Sequence, residues 1–136
     1  MIQKLMLIDD DEDDREIFIS IVEAAYPAIS LSVATNGQEA LQALQQAATQ
    51  PDLIFLDLNM PIMNGQQFME SIKADNILHK IPVVILTTSS DKTTIRDMKT
   101  LGAIHFISKP DKYSGWEKML NEFFLNVRLD KIYGSD

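Results

Sequence analysis

Three short runs of consecutive apolar residues constrain the fold of this 136-residue chain more than any other feature. They lie in KLMLI (4–8), LIFL (53–56) and VVIL (83–86). A strand with one solvated face alternates polar and apolar residues, whereas a continuous apolar run is typical of a strand covered on both faces in a parallel sheet. LSVA (31–34) and IHFI (104–107) are weaker strand candidates.

Segments with the periodicity of amphipathic helices lie between and after these runs. Apolar residues three or four positions apart predict five helices. The five stripes are Ile17/Phe18/Ile21/Val22/Ala25, Leu41/Leu44/Ala48, Phe68/Met69/Ile72, Ile95/Met98/Leu101 and Trp116/Met119/Leu120/Phe123/Phe124/Val127. We expect Asn36, with Glu39 three residues on, to cap the second helix. The fourth helix is expected to start near Ser90 or Asp91 and to stop at Gly102.

The order is therefore strand then helix, five times, with short connections. This alternation predicts an α/β fold: a doubly wound (βα)5 domain with a five-stranded parallel sheet. Right-handed crossovers place helices on both faces of such a sheet. Ligands then bind outside the carboxyl ends of the strands, so the residues that follow each apolar run are the candidates for function.

Polar side chains follow four of the five runs. In chain order they are Asp9, Asp10, Asp57, Asn59, Thr87, Thr88 and Lys109. Carboxylates in an oxygen-only neighbourhood suit a hard cation, and Mg²⁺ prefers one or two carboxylates, waters and a phosphate oxygen. An Asp beside such a cation can act as a nucleophile and form an aspartyl phosphate. A hydroxyl and a lysine would then position and neutralise the transferred group.

Composition excludes several other functions. The net charge of −8 opposes binding to nucleic acid or to an anionic membrane, since both need clustered Lys and Arg. The absence of cysteine excludes thiolate chemistry, and neither His79 nor His105 belongs to the polar set, which argues against zinc. No run approaches the roughly 18 apolar residues of a membrane span, and the N-terminal run is too short for a secretory signal. We therefore expect a cytoplasmic protein without nucleic-acid or membrane partners.

The acidic run DDDEDD (9–14) has two predicted roles. Asp9 and Asp10 end the first strand, within the expected cation site. The acids at 11–14 fall at the cap and first turn of the first helix, where free N–H groups and the helix dipole favour negative charge. A calcium-binding EF-hand loop is rejected, because its sixth position would be Asp14 instead of Gly and its twelfth Ser20 instead of Glu.

Four separated motifs, in this order along the chain, resemble the receiver domain of two-component response regulators, the CheY-like superfamily. They are the acidic pair, LDLNMP (56–61), TT (87–88) and SKP (108–110). The resemblance covers nearly the whole chain and implies a flavodoxin-like sheet with strand order 2-1-3-4-5. It implies a receiver domain over 1–128 and a tail at 129–136 without an output domain. HKIPVVILTTSSD (79–91) also resembles the stand-alone regulators that include the phytochrome-linked ones.

The resemblance implies how the acidic residues act. Asp57 would be the phosphoacceptor and would receive its phosphoryl group from a phosphohistidine on a sensor histidine kinase or phosphotransfer protein. Mg²⁺ would be held by Asp9, Asp10, Asp57 and the backbone carbonyl of Asn59. Of these, Asp10 would be a direct ligand and Asp9 would act mainly through water.

The resemblance also implies a switch. Lys109 would contact the phosphoryl group, Thr87 would be the switch hydroxyl, and Phe106 falls where the family carries its switch aromatic. Phosphorylation would change how the face formed by the fourth helix, fifth strand and fifth helix binds a downstream effector protein. The resemblance allows a homodimer, and it implies no enzymatic activity beyond self-phosphorylation and autodephosphorylation.

Two other functions stay open. An aspartate-nucleophile phosphohydrolase uses similar residues, but its nucleophile normally lies on the first strand with a second Asp two residues later, a place that Asn59 takes here. A pseudo-receiver would serve as a constitutive interaction module and take no phosphoryl group. The complete set of acids and Lys109 argues against that second function.

Overall fold

The computed structural model describes residues 2–60, 62–88 and 91–126. Its sheet has five parallel strands in the order β2-β1-β3-β4-β5, which is the order that the resemblance to receiver domains implies. The strands are β1 (Lys4–Ile8), β2 (Ser30–Ala34), β3 (Leu53–Asp57), β4 (Val83–Thr87) and β5 (His105–Ser108). The predicted doubly wound, flavodoxin-like (βα)5 fold is confirmed.

Five α-helices alternate with these strands. They are α1 (Glu12–Ala25), α2 (Gly37–Gln46), α3 (Gly65–Lys73), α4 (Lys92–Thr100) and α5 (Tyr113–Asn126). The predicted caps are confirmed: the side chain of Asn36 accepts the Glu39 N–H at 2.8 Å, and Asp91 accepts the Thr93 N–H at 3.1 Å. Beyond α4, Gly102 has a φ of +100°, the left-handed conformation that often ends a helix.

Two apolar cores cover the two faces of the sheet. Alternate residues of β1 explain why its run is continuous, because Leu5 and Leu7 belong to one core while Met6 and Ile8 belong to the other. The first core includes α1 and α5 and is built around Phe18, Phe55, Trp116, Leu120 and Phe123. The second includes α2, α3 and α4, through Ala40, Leu44, Phe68, Met69, Ile72 and Met98. The central strands β3 and β4 are buried at every position.

Four details differ from the sequence-based expectations. Ala25 is exposed, and Ala48 is exposed and lies beyond the last residue of α2. The α2 end comes early because Ala47 is extended and the Gln50 side chain donates to the Leu44 carbonyl at 2.9 Å. β5 begins one residue late, at His105. No sequence pattern predicted the short 3₁₀ helix, Leu78–Lys80, that precedes β4.

Some predictions concern residues outside the described ranges. They are the alternative start of the fourth helix at Ser90, the last residue of the fifth apolar stripe at Val127, and the domain boundary at residue 128 with the tail that follows it. Within the described part of the chain, no helix is long and apolar enough to cross a membrane.

The first prediction concerns Gly65, which allows α3 to begin directly against the end of β3. A Cβ at this position would lie 2.7 Å from the Leu58 Cα and 3.1 Å from the Asp57 carbonyl oxygen. We expect Gly65→Ala to lower the free energy of unfolding by about 1–3 kcal/mol, measured by urea denaturation, because backbone must move. Gln66→Ala, exposed on the same helix, should change it by less than about 0.5 kcal/mol, and equal effects would contradict this reading.

A second prediction concerns Ile62, in the loop between β3 and α3. Ile62 is β-branched and 64% exposed, yet its φ is +45°. Such a conformation is strained for Ile and accepted by Asn, so Ile62→Asn should stabilise the fold by about 1 kcal/mol. Ile77→Asn is the matched control, since Ile77 is 66% exposed with an ordinary φ of −101°. Stabilisation of both variants alike would show that lost surface hydrophobicity is the cause.

Candidate functional site

The predicted site residues meet at the carboxyl edge of the sheet. Asp9 directly follows β1, Asp57 is the last residue of β3, Thr87 is the last residue of β4, and Lys109 directly follows β5. Asp9, Asp57 and Thr87 are 0%, 4% and 3% exposed, which is unusual for polar side chains. The parallel register places these positions side by side, and the Lys109 N–H donates to the Thr87 carbonyl at 2.9 Å.

The Lys109 ammonium bridges three carboxylates. Its Nζ lies 2.9 Å from the Asp9 Oδ2, 3.0 Å from the Asp14 Oδ2 and 3.5 Å from the Asp57 Oδ2. Asp14 is a new member of the site, because the sequence assigns it only to the first turn of α1. The signal that could have identified Asp14 is its position one turn beyond the Asp11 cap, on a helix that begins at the site edge.

Asp9, Asp10 and Asp57 form the cluster that could hold a cation. Each contributes a carboxylate oxygen, and these oxygens lie within 4.8 Å of one another. Backbone donors orient two of the carboxylates: the Asp11 N–H donates to Asp9 Oδ1 at 3.0 Å, and the Asn59 N–H to Asp57 Oδ1 at 3.4 Å. An all-oxygen set of this kind fits Mg²⁺ better than a transition metal.

Burial and like charge shift the pKa values in the cluster. Burial first, and then the nearby Asp9 charge, raise the pKa of Asp57 to about 7, against the opposing pull of Lys109. Burial also raises the pKa of Asp9, although the Asp11 N–H and Lys109 oppose the shift. For Lys109, burial would lower the pKa, but bonds to Asp9 and Asp14 outweigh it and raise the pKa. Lys109 therefore does not fully compensate the negative charge of the ionised carboxylates in this cluster. A bound cation would supply the missing positive charge.

A cleft of about 500 Å³ opens over the cluster. Its lining residues are Asp10, Asp11, Glu12, Asp13, Asp57, Asn59, Thr88 and Lys109. Thr88 thus faces the cleft, whereas Thr87 is buried at the end of β4. The cleft is thus lined by Asp57, the candidate phosphoacceptor, together with Asn59 and Lys109. Its volume suits a small phosphorylated group.

Phe106 lies apart from the carboxylates. It pairs with Ile85 in the sheet, is half-buried, and packs against the core beneath α4. The Lys99 Nζ of α4 lies 6.0 Å from the centre of its ring, within cation–π range. Phe106 is not among the residues that line the cleft in the described part of the chain. A link between Phe106 and the site would therefore run through β5 and α4.

Comparison with known proteins adds to this geometry. The family model described as "Response regulator receiver domain" matches residues 5–121. A protein-glutamate methylesterase/protein-glutamine glutaminase of Treponema denticola is 42% identical over 111 residues, which are 79% of this chain and 28% of that protein. The chain therefore spans little more than a quarter of this relative's length, and the similarity does not carry the relative's enzymatic activity with it.

Solved structures give the same picture. The phosphorylated cyanobacterial phytochrome response regulator RcpA is 29% identical, with a TM-score of 0.83 over 93% of this chain and 96% of that one. The Mn²⁺-bound form of response regulator Rcp1 is 25% identical, with a TM-score of 0.82 over 93% and 96% of the two chains. Both superpose nearly end to end with the described fold.

The third prediction concerns pH. The pKa of Asp57 is raised to about 7, and a metal ligand must be deprotonated, so protons should compete with Mg²⁺ as the pH falls through that value. We expect Mg²⁺ affinity, measured by isothermal titration calorimetry, to fall about tenfold between about pH 8 and about pH 6. Asp57→Asn should flatten this dependence. Equal affinity at both pH values would contradict a cation site that includes an Asp57 of raised pKa.

Proposed function

Because the chain belongs to the response regulator receiver domain family of two-component signalling, we propose that Asp57 accepts a phosphoryl group from a phosphohistidine. The donor would be a sensor histidine kinase or a phosphotransfer protein, since receiver domains interact with such proteins. The observation that carries this proposal is the Lys109 ammonium, held 3.5 Å from the Asp57 carboxylate at the open edge of the sheet.

The chain's own residues support an in-line transfer. An Asp57 carboxylate oxygen would attack the phosphorus atom, forming a P–O bond while the donor's P–N bond breaks and its electron pair stays on the imidazole nitrogen. The Asn59 N–H steadies one Asp57 oxygen, and Lys109 faces the other. Lys109 would then bind an oxygen of the transferred group, so its positive charge is in place before the reaction begins.

Receiver domains bind Mg²⁺ at an acidic pocket, and the carboxylates of this chain fit that cation. We propose that Asp9, Asp10, Asp57 and the Asn59 carbonyl hold it, with Asp9 acting mainly through water. When bound, Mg²⁺ would neutralise charge on the phosphoryl oxygens during transfer. The solved Mn²⁺-bound form of Rcp1 supports a divalent cation in this fold.

The switch is the second half of the proposal. Thr87 ends β4 beside the Lys109 backbone, so its hydroxyl is one strand away from Asp57. We propose that a phosphoryl group draws this hydroxyl toward itself and that half-buried Phe106, on the neighbouring strand, repacks against α4. The face of α4, β5 and α5 would then change its affinity for a downstream effector protein.

The proposed activity is that of a signalling domain. Its only chemistry would be Mg²⁺-dependent self-phosphorylation and autodephosphorylation, without the esterase activity named for the longer relative. The stand-alone arrangement over 1–128, the cytoplasmic location, the homodimer and the absence of nucleic-acid and membrane partners stay predictions.

The fourth prediction tests phosphoryl transfer. Intact-mass analysis after incubation with acetyl phosphate should show one added phosphoryl group that requires Mg²⁺ and is lost on treatment with hydroxylamine, as expected for an acyl phosphate. Asp57→Asn should abolish the added mass, because an amide is not the nucleophile. Asp97→Asn, an exposed acid on α4, is the matched control and should be phosphorylated like the wild type.

Two results would replace this proposal. Mg²⁺ binding without any added mass would favour a constitutive interaction module. Continuous release of inorganic phosphate from many phosphate esters, with turnover far above one per protein molecule, would favour an aspartate-nucleophile phosphohydrolase.

A further inference from the structure

Of the carboxylates that pair with Lys109 in the described part of the chain, Asp14 is the one that has no part in the proposed transfer or cation site. It lies on the first turn of α1, and its Oδ2 accepts a hydrogen bond from the Lys109 Nζ at 3.0 Å. Asp14 is partly exposed at 22% of its side chain, whereas Lys109 is 9% exposed. Asp14 therefore covers the solvent side of a nearly buried ammonium.

Lys109 has three carboxylate partners at different distances. Asp9 and Asp14 are close, at 2.9 and 3.0 Å, and Asp57 is more distant, at 3.5 Å. Asp9 is fully buried, so Lys109 keeps a buried carboxylate partner when the charge of Asp14 is removed.

The charge of Asp14 has a separate effect. Its Oδ2 and that of Asp57 are 3.0 and 3.5 Å from the same nitrogen, so they lie no more than about 6.5 Å apart. At this separation a unit negative charge attracts a divalent cation at the cluster and repels added negative charge on Asp57. It also offsets part of the positive charge that Lys109 presents to a phosphoryl group.

We propose that Asp14 is a positioning residue that acts through Lys109: as its counterion, it strengthens Mg²⁺ binding and weakens the hold of the site on a phosphoryl group. This inference rests on the proposed function and deepens it. Asp14 would thereby set how long and how completely the domain stays phosphorylated, without touching the reacting atoms itself.

Asp14→Asn tests this inference because it keeps the shape of the side chain and removes its charge. Mg²⁺ affinity should fall about three- to tenfold, measured by isothermal titration calorimetry without any phosphoryl donor. Affinity for beryllofluoride, a phosphoryl analogue, should rise about three- to tenfold at saturating Mg²⁺, measured by ¹⁹F NMR. Opposite changes are diagnostic, since general damage to the site would weaken both ligands.

Glu16→Gln is the matched control. Glu16 is exposed on α1, is not among the residues that line the cleft, and makes no ion pair with Lys109 in the part of the chain that the structure describes. Solvent and salt screen its charge, so removing that charge should change both affinities by less than about twofold. Circular dichroism melting of both variants will show that α1 still folds.

The outcomes separate the two proposals. If the wild type binds Mg²⁺ but no beryllofluoride, the proposed function fails, and the Mg²⁺ comparison between the Asp14 and Glu16 variants still decides the inference. If the wild type binds both ligands and the two variants behave alike, the role of Asp14 is overturned. A parallel loss of both affinities in Asp14→Asn also overturns it, and a wild type that binds neither ligand overturns both proposals.

Discussion

The burial of two carboxylates beside one ammonium is the interaction on which the site depends. Asp9 and Asp57 lie at the edge of an apolar sheet, where an unpaired ionised carboxylate would be costly. Burial, and then the Asp9 charge, raise the pKa of Asp57 although Lys109 lies nearby, so one ammonium does not compensate both carboxylates. Receiver domains bind Mg²⁺ at an acidic pocket, and a cation at this cluster would supply the missing positive charge.

The scaffold makes this arrangement possible. Two apolar cores hold the strands from both faces, so the positions of Asp9, Asp57 and Lys109 follow from strand register and do not depend on flexible loops. Unusual backbone is found close by, where Ile62 and Met63 adopt positive φ between β3 and α3. Positive φ at non-glycine residues is strained backbone of the kind that is often found at ligand sites and switch regions.

In the proposed switch, a change at the cleft would have to reach the side of β5 that packs against α4. Thr87 and Phe106 lie on neighbouring strands, one at the site and the other against the core beneath α4. The contact of Lys99 with the Phe106 ring joins β5 to α4 at the surface. The proposed switch thus involves β4, β5 and α4, which are in direct contact through these residues.

The fold class and most of the site residues follow from patterns in the amino-acid sequence. Continuous apolar runs identified the buried central strands, helical stripes identified the helices, and the rule that strands end at a common edge collected Asp9, Asp10, Asp57, Thr87 and Lys109. Apolar residues recur at fixed intervals along strands and helices because each element is buried on one or two faces. Their spacing therefore identifies the type of element. Ala48 is exposed and lies beyond the last residue of α2, so helical periodicity alone predicted too late an end for this helix.

The pairing of Asp14 with Lys109, in contrast, follows from the tertiary structure. The two residues are 95 positions apart, and α1 and α5 pack on the same face of the sheet, which brings the first turn of α1 near the residue that follows β5. The same holds for the raised pKa of Asp57, which follows first from burial and then from the nearby Asp9 charge, neither of which is a property of the local sequence. Local patterns specify which residues form strands and helices, whereas charge pairing and solvation depend on the three-dimensional distances between them.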